Sequence, residues 1–440
     1  MKAVIGIDLG TSSFKAAKLD LEQGTISHLI RIAPPEPVSG LKPSRYELAP
    51  AELLATIRSM LSELLAQVPD AAGLVICNQM HSVVLTNQHG QPLSNVITWR
   101  DRRATESHLG GGESHFEKLT ALVSPEEVEQ IGHELRVGVP ITTLASMHQS
   151  GELPNGCFPI SLGDFVLSNL CQVEPSTEPT NAAAHGLFHL DRRDWHWNLI
   201  ARLGLDRLCW PRIRSSGEFV GIAEIDGHQL TCFTPVGDQQ SALVGANVQT
   251  NELSLNISTG SQVSLLNHHR PTGQFQIRPF FGNLWLSTIV SVPAGRSLNS
   301  LVNLLSELGG KADLWDYIMQ EVDRVSETDL MVDLSFFPCF TGNRGSISNI
   351  HEENLTVGHL FASAFRTMAR NYARCAELLS PTPSWARVVF SGGLASRFQR
   401  LRHEVLAALD HPPYRICDLE EETLHGLLQL ARQWSAQLKE

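Results

Sequence analysis

Apolar residues along this chain recur with two periods, and the alternation between them lays out its elements. "AVIGIDL" (3–9) runs small and β-branched residues together, as a buried strand does. After the turn "GTSS", the segments "FKAAKLDL" and "GTISHLIRI" predict two further strands of a meander. From Pro50 the period lengthens. Leu53, Leu54, Ile57, Leu61, Leu64, Leu65 and Val68 fall on one helical face, with Pro50 at the first helical position and Glu52 in the first turn. "GLVICN" (73–78) returns as a buried strand, and "VVLTN" and "NVITW" around "QHGQPL" predict a hairpin. Short helices are predicted near Pro125–Ile131 and Gly163–Leu170.

The opening pattern then repeats. "LSLNISTGSQVSLLN" (253–267) reads strand, small-residue turn, strand, as "IGIDLGTSSFKAAKL" does, so two copies of one domain plan are expected. An amphipathic helix over 356–379 follows, with Val357, Leu360, Phe361, Ala364, Phe365, Met368 and Tyr372 on one face. "ARVVFSGG" (386–393) is a buried strand ending in a glycine turn, and helices over Arg397–Leu409 and from "EETLHG" onward complete the pattern. Alternating strands and helices in both halves define an α/β architecture. The expected domains are 1–245 and 250–440, in keeping with a chain of 440 residues.

Composition narrows the partners. A net charge of −12 argues against broad nucleic-acid or anionic-membrane surfaces, while leaving room for a small anion held by backbone N–H groups. The eight cysteines form neither a C-x-x-C pair nor a zinc-spaced cluster, and read as reduced core thiols. Asp8 interrupts the first apolar run too early for a signal core, and the longest uncharged apolar stretch, 279–295, falls short of a membrane span. These features predict a cytoplasmic protein.

Three turns carry candidate chemistry. "DLGTSS" and "STGSQ" can turn successive N–H groups and hydroxyls toward a phosphate, and the glycines of "FSGGLAS" let backbone approach a flat ligand. Neither G-x-x-x-x-G-K-[ST] nor a strand followed by G-x-G-x-x-G occurs. In "PVGDQQSALVGAN" (235–247) a single carboxylate, Asp238, stands without a cationic neighbour. It is either the cap of a helix over Gln240–Val244 or a general base, and the local residues leave both open.

In their order, "GIDLGTSSFKAAKLD", "NQMHSVVL", "WRDRR", "GDQQSALVG", "NISTGSQ" and "FSGGLASRF" resemble the successive motifs of the FGGY carbohydrate kinases, over nearly the whole chain. The resemblance implies two similar actin-like ATPase (ribonuclease H-like) domains with a central ligand cleft, and ATP with Mg²⁺ as cofactors. It makes Asp238 the general base. Asp8 would hold Mg²⁺, while Thr11, Ser12 and Lys15 would meet the nucleotide phosphates. Ser258, Thr259, Gly260 and Ser261 would face those phosphates from the other domain, and Gly392, Gly393 and Ser396 would line the adenosine pocket. Met80, His81, Trp99, Asp101 and Gln239 would contact the sugar. "QMH" followed by W-x-D-x-R resembles the ketose kinases of the family, so a seven-carbon ketose is expected ahead of five-carbon ketoses and glycerol. The implied partners are a small sugar and ATP, with no nucleic acid or membrane, and a homodimer is left open.

Simpler roles compete with these. His81 can be a core histidine and Trp99 a packing residue, Asp101 can pair with Arg102 or Arg103 at the surface, Lys15 can point to solvent, and "EEE" (420–422) reads as a solvated helix start. The chain departs from the family pattern at Asn349, where Gly is usual, and at Arg366, where an acid is usual. "LHGLLQLA" replaces a more Gly/Ala-rich run.

Overall fold

The computed structural model describes residues 2–107, 112–307 and 314–437. Contacts divide the chain into two units. The first comprises Met1–Asn247, Ile277–Asn283 and Leu419–Glu440, the second Val248–Gln276 and Leu284–Asp418.

The first unit is built on a sheet in the order Phe219–Ile225, His228–Phe233, Gly73–Asn78, Ala3–Leu9, Phe14–Asp20, Thr25–Ile32, with Val236–Gly237 also pairing to Gly73–Asn78. Strand period two explains how this sheet is covered. Ile5, Ile7, Leu9, Phe14, Ala16, Leu74 and Ile76 enter one core with the apolar face of the helix Pro50–Gln67. Their alternate neighbours Val4, Ala17, Leu19, Val75 and Cys77 enter a second core with Leu424, Leu427, Leu428 and Trp434. Because both faces are covered, Ala3–Leu9 is buried at every position.

The second unit repeats the plan. Glu252–Ile257 pairs antiparallel with Ser261–Asn267 and parallel with Arg387–Ser391, as Ala3–Leu9 pairs with Phe14–Asp20 and Gly73–Asn78. The helix Val357–Leu379 buries Phe361, Ala364, Phe365, Met368 and Tyr372.

Two expectations are corrected. The predicted hairpin forms only irregularly: isolated antiparallel bridges join Val83 to Ile97 and Thr86 to Pro92, while the regular strand partner of Val84–Thr86 is Phe158–Ile160 and that of Val96–Ile97 is Glu47–Leu48. Alternation signals a strand without naming its partner. The expected second domain, 250–440, also loses two pieces to the first unit. The helix Glu422–Gln437 crosses the helix Asp238–Gly245 so closely that a Cβ on Gly426 would lie 1.8 Å from the Ser241 carbonyl oxygen, and one on Gly245 would lie 1.9 Å from that of Glu422. Gly426→Ala is therefore expected to force the helices apart at a cost of about 3 kcal/mol, measured by chemical denaturation, with activity falling in parallel.

Both departures from the family pattern have local explanations. Asn349 holds φ 57°, a left-handed conformation that Asn tolerates in place of Gly, and its amide donates to Asp329. Arg366 donates to the carbonyls of Thr328 and Ser326.

Candidate active site

Within the first unit the strand Ala3–Leu9 ends at a cluster of charges. Asp8 is 3% exposed. Cross-strand register sets it opposite Lys15, whose Nζ lies 3.4 Å from Asp8 Oδ2 and 2.9 Å from Glu421 Oε2. Thr423 Oγ1 donates to Asp8 Oδ2 at 2.7 Å, and the Cys77 thiol points at Oδ1 from 3.7 Å. Burial raises the Asp8 carboxyl above the usual range, although Lys15 and Thr423 pull against it. Burial would lower the Lys15 ammonium, but Asp8 and Glu421 outweigh it and hold the group charged. Lys15 thus faces a carboxylate pair rather than solvent. Glu421, read in sequence as part of a solvated helix start, is buried and also binds Arg31. A charge run does not reveal that its middle member turns inward.

Asp238 opens the helix Asp238–Gly245, with Gly237 as its N-cap. Its Oδ1 accepts the N–H of Gln239 at 2.8 Å, a first-turn position favoured by the helix dipole. The preceding residues Val236 and Gly237 pair with Cys77 and Asn78, which places the aspartate just past the end of the central strands. Part of its surface stays open while protein encloses the rest. Burial first, then the neighbouring charge of Asp8, push its carboxyl up to about 7.

Beside it lies an arginine that the sequence reading missed. Arg278 is 2% exposed and meets three of the expected sugar contacts at once. Its guanidinium donates to Gln239 Oε1, reaches Met80 Sδ at 3.3 Å and approaches His81 Nε2 at 3.3 Å, while Nε donates to Glu134 Oε1 at 2.6 Å. Arg136 donates to the other oxygen of Glu134 at 2.6 Å and also lies 3.3 Å from His81 Nε2. The Nδ1 of His81 is 2.9 Å from the carbonyl of Ala184, which can only accept, so Nδ1 carries the hydrogen and Nε2 receives the guanidinium N–H groups. Burial and the two arginines, against Glu134, lower this imidazole to about 4, and it is neutral at pH 7. Burial alone would raise the Glu134 carboxyl; Arg278 and Arg136 overcome that and hold it well below the ordinary carboxylate range. A charged residue inside the apolar run "FQIRPFF" was the available signal.

The remaining sugar candidates separate. Trp99 is 45% exposed and its Nε1 donates to Thr11 Oγ1 at 3.0 Å, while Thr11 donates to Gln79 Oε1 at 3.1 Å. A residue expected at the sugar and one expected at the phosphates therefore share a bond, and Ser12 lies exposed beside Thr11. Asp101 is held within the protein. It is 1% exposed, and its two oxygens accept from Arg103 and from the backbone of Tyr46 and Arg103, with Glu47 completing a buried cluster.

In the second unit the turn between Glu252–Ile257 and Ser261–Asn267 is tied down from within. Ser258 Oγ donates to the Gly260 carbonyl, Ser261 Oγ to that of Asn256, and Tyr372 to Ser261 Oγ at 2.9 Å. Thr259 and Gly260 are exposed at its tip. Gly392 takes φ 86° as N-cap of Gly393–Arg397, and a Cβ there would lie 2.7 Å from the Ile257 carbonyl oxygen, so only glycine fits. Gly393 and Ser396 are exposed on that short helix.

Residues 3–151 match the FGGY family of carbohydrate kinases, N-terminal domain. The chain is 23% identical to the sedoheptulokinase of Mus musculus, over 94% of this chain and 93% of that protein. It is 29% identical to glycerol kinase 2 of Pseudomonas aeruginosa, over 67% of this chain and 58% of that protein. The crystal structure of gluconate kinase from Lactobacillus acidophilus superposes with a TM-score of 0.86 at 15% identity, covering 99% of this chain and 89% of that one, which shows a common fold. Residues 3–151 thus carry the N-terminal domain of the FGGY carbohydrate kinases, and the actin-like ATPase fold of the sugar-kinase structures is the fold of this chain. It is a sugar phosphotransferase. Among the described residues, no helix is long and apolar enough to cross a membrane.

Proposed function

We propose that this kinase transfers the γ-phosphoryl group of ATP to a terminal hydroxyl of a ketose, with sedoheptulose, giving its 7-phosphate, as the preferred acceptor. The observation carrying this reading is the pairing of a carboxyl raised to about 7, Asp238, with a neighbour, Gln239, that Arg278 binds together with Met80 and His81. Asp238 takes the hydroxyl proton as the sugar oxygen bonds to phosphorus and the bond to the bridging oxygen of ADP breaks. A base with a pKa near the working pH is matched to that task. Phosphoryl transfer otherwise asks for positioning and charge neutralisation. Lys15, Thr11 and Ser12 serve the phosphates. Gly392, Gly393 and Ser396 receive the adenosine.

The residues fit a magnesium ion that arrives with the nucleotide. Among the described residues no group of three His, Cys, Asp or Glu side chains could hold a metal alone, and Asp8 offers one carboxylate. Mg²⁺ is commonly held by one or two carboxylates together with substrate phosphates and water. Asp8 would hold it there, where the ion neutralises phosphate charge.

Full-length similarity to a sedoheptulokinase favours the seven-carbon acceptor. Glycerol has fewer hydroxyls than a ketose and would make one or two fewer charge-assisted hydrogen bonds with groups such as Arg136, at roughly 1.5–3 kcal/mol each. One or two such losses correspond to about one to four powers of ten in kcat/KM. Steady-state kinetics with ATP and Mg²⁺ over sedoheptulose, xylulose, ribulose and glycerol should show that order. Glycerol as the best substrate would overturn the ketose reading, and a five-carbon ketose in first place would overturn the chain length alone.

A further inference from the structure

We infer that the segment Glu178–Asn181, within "STEPTNAAAH", positions Asp238 through a buried hydrogen-bond relay, with Thr180 as its central positioning residue. The inference rests on Asp238 being the base. Every residue of the relay lies in the first unit.

Glu178 is 1% exposed and caps the short helix Pro179–Ala183. Its carboxylate accepts the backbone N–H of Thr180 at 2.7 Å, the Thr180 hydroxyl and, on the other oxygen, the Ser216 hydroxyl. Donating its one hydrogen to Glu178 leaves the Thr180 oxygen only lone pairs to offer elsewhere. What it accepts is the N–H of Gly237, at 2.8 Å, the residue immediately before Asp238. The carboxylate therefore fixes the direction of the hydroxyl, and the hydroxyl fixes the peptide that carries the base.

Asn181 grips the same segment two residues earlier. Its Nδ2 donates to the Pro235 carbonyl at 3.0 Å and reaches Asn78 Oδ1 at 3.2 Å, while Asn78 Nδ2 approaches Asn181 Oδ1 at 3.3 Å. Asn78 is the strand residue paired in register with Gly237. One helical turn thus holds both sides of Pro235–Gly237, and Asn78, Glu178, Thr180 and Asn181 are all buried. A carboxylate with an N–H partner at Gln239 alone could pivot about that first helical residue. Fixing the peptide before it removes the freedom, and a base displaced by about 1 Å loses of the order of a hundredfold in rate.

The test is a double-mutant cycle read in kcat and KM. Thr180→Val keeps shape and removes both relay bonds; it is expected to lower kcat by about 10- to 100-fold with sugar and ATP KM within about threefold. Thr180→Ser restores the hydroxyl and should restore most of kcat. In an Asp238→Asn background, where the base is gone, Thr180→Val should cost less than about threefold more, because it acts through Asp238. Equal losses in both backgrounds, or an unchanged kcat in the single variant, would overturn the relay. If the valine variant does not fold, Asn181→Ala and Glu178→Gln are run through the same cycle with the same criteria. Asp238→Asn alone with near-normal kcat would instead remove the base reading on which the relay depends.

Discussion

Replacing Asp238 by Asn should lower kcat by about two to four orders of magnitude and at the same time make the folded protein more stable above pH 7. The amide keeps the shape and the bond from the Gln239 N–H but cannot take a proton, so turnover falls while sugar binding persists. The stability gain follows from the raised carboxyl. In the unfolded chain an Asp titrates near 3.9, whereas in the fold Asp238 titrates at about 7. Between those values the native state binds the additional proton, so rising pH withdraws stability from roughly pH 4 to pH 7 and leaves it lower beyond. Three units would correspond to about 4 kcal/mol, and solvent reaching the open side of the carboxyl reduces this to ~2 kcal/mol. Denaturation at pH 8 should show the variant more stable, with the difference shrinking toward pH 4. The same titration predicts that wild-type kcat/KM rises through about pH 7 as the base ionises. A variant with near-normal kcat would return Asp238 to the role of a helix-start residue.

Arg278→Met should destabilise the first unit by about 3–5 kcal/mol, the usual cost of leaving one member of a buried ion pair behind. Glu134 is fully buried and would keep only Arg136, itself one-third exposed along its side chain. Sugar KM should rise by at least tenfold, because Gln239, Met80 and His81 lose their common partner, while ATP KM stays within about threefold. Removing the charge on both sides, as Arg278→Met with Glu134→Leu, should recover much of the stability without recovering sugar affinity. Recovery of both would mean that Arg278 serves the core alone.

How far the sequence carried these conclusions differs by residue. Ala3–Leu9, Phe14–Asp20 and their echo at Glu252–Asn267 were legible because period-two patterning and small-residue turns are local signals. The candidate base was visible as an acid without a local partner. Arg278 was marked only by its place in an apolar run, and its pairing with Glu134 was not legible, since the two lie 144 residues apart and nothing near either announces the other. Asp101 does pair with Arg103, as the simpler reading had it, but not at the surface. Its partner Arg103 stands two residues away, a spacing common at surfaces, whereas here Glu47 and Tyr46 draw the pair inside. Helix Glu422–Gln437 was plain from its period, yet periodicity identifies an apolar face without saying which sheet that face will cover.

The bond from Thr423 to Asp8 spans 415 residues. A ribosome adding about 5–20 residues each second needs roughly 20–80 s between the two. Throughout that interval the Val4, Leu19 and Val75 face of the first sheet has no helix to cover it, and Lys15 has no Glu421. Until residues 419–437 emerge, nascent chains of this protein accordingly carry an open apolar sheet, a natural ligand for a chaperone, and the charged site lacks its full set of partners.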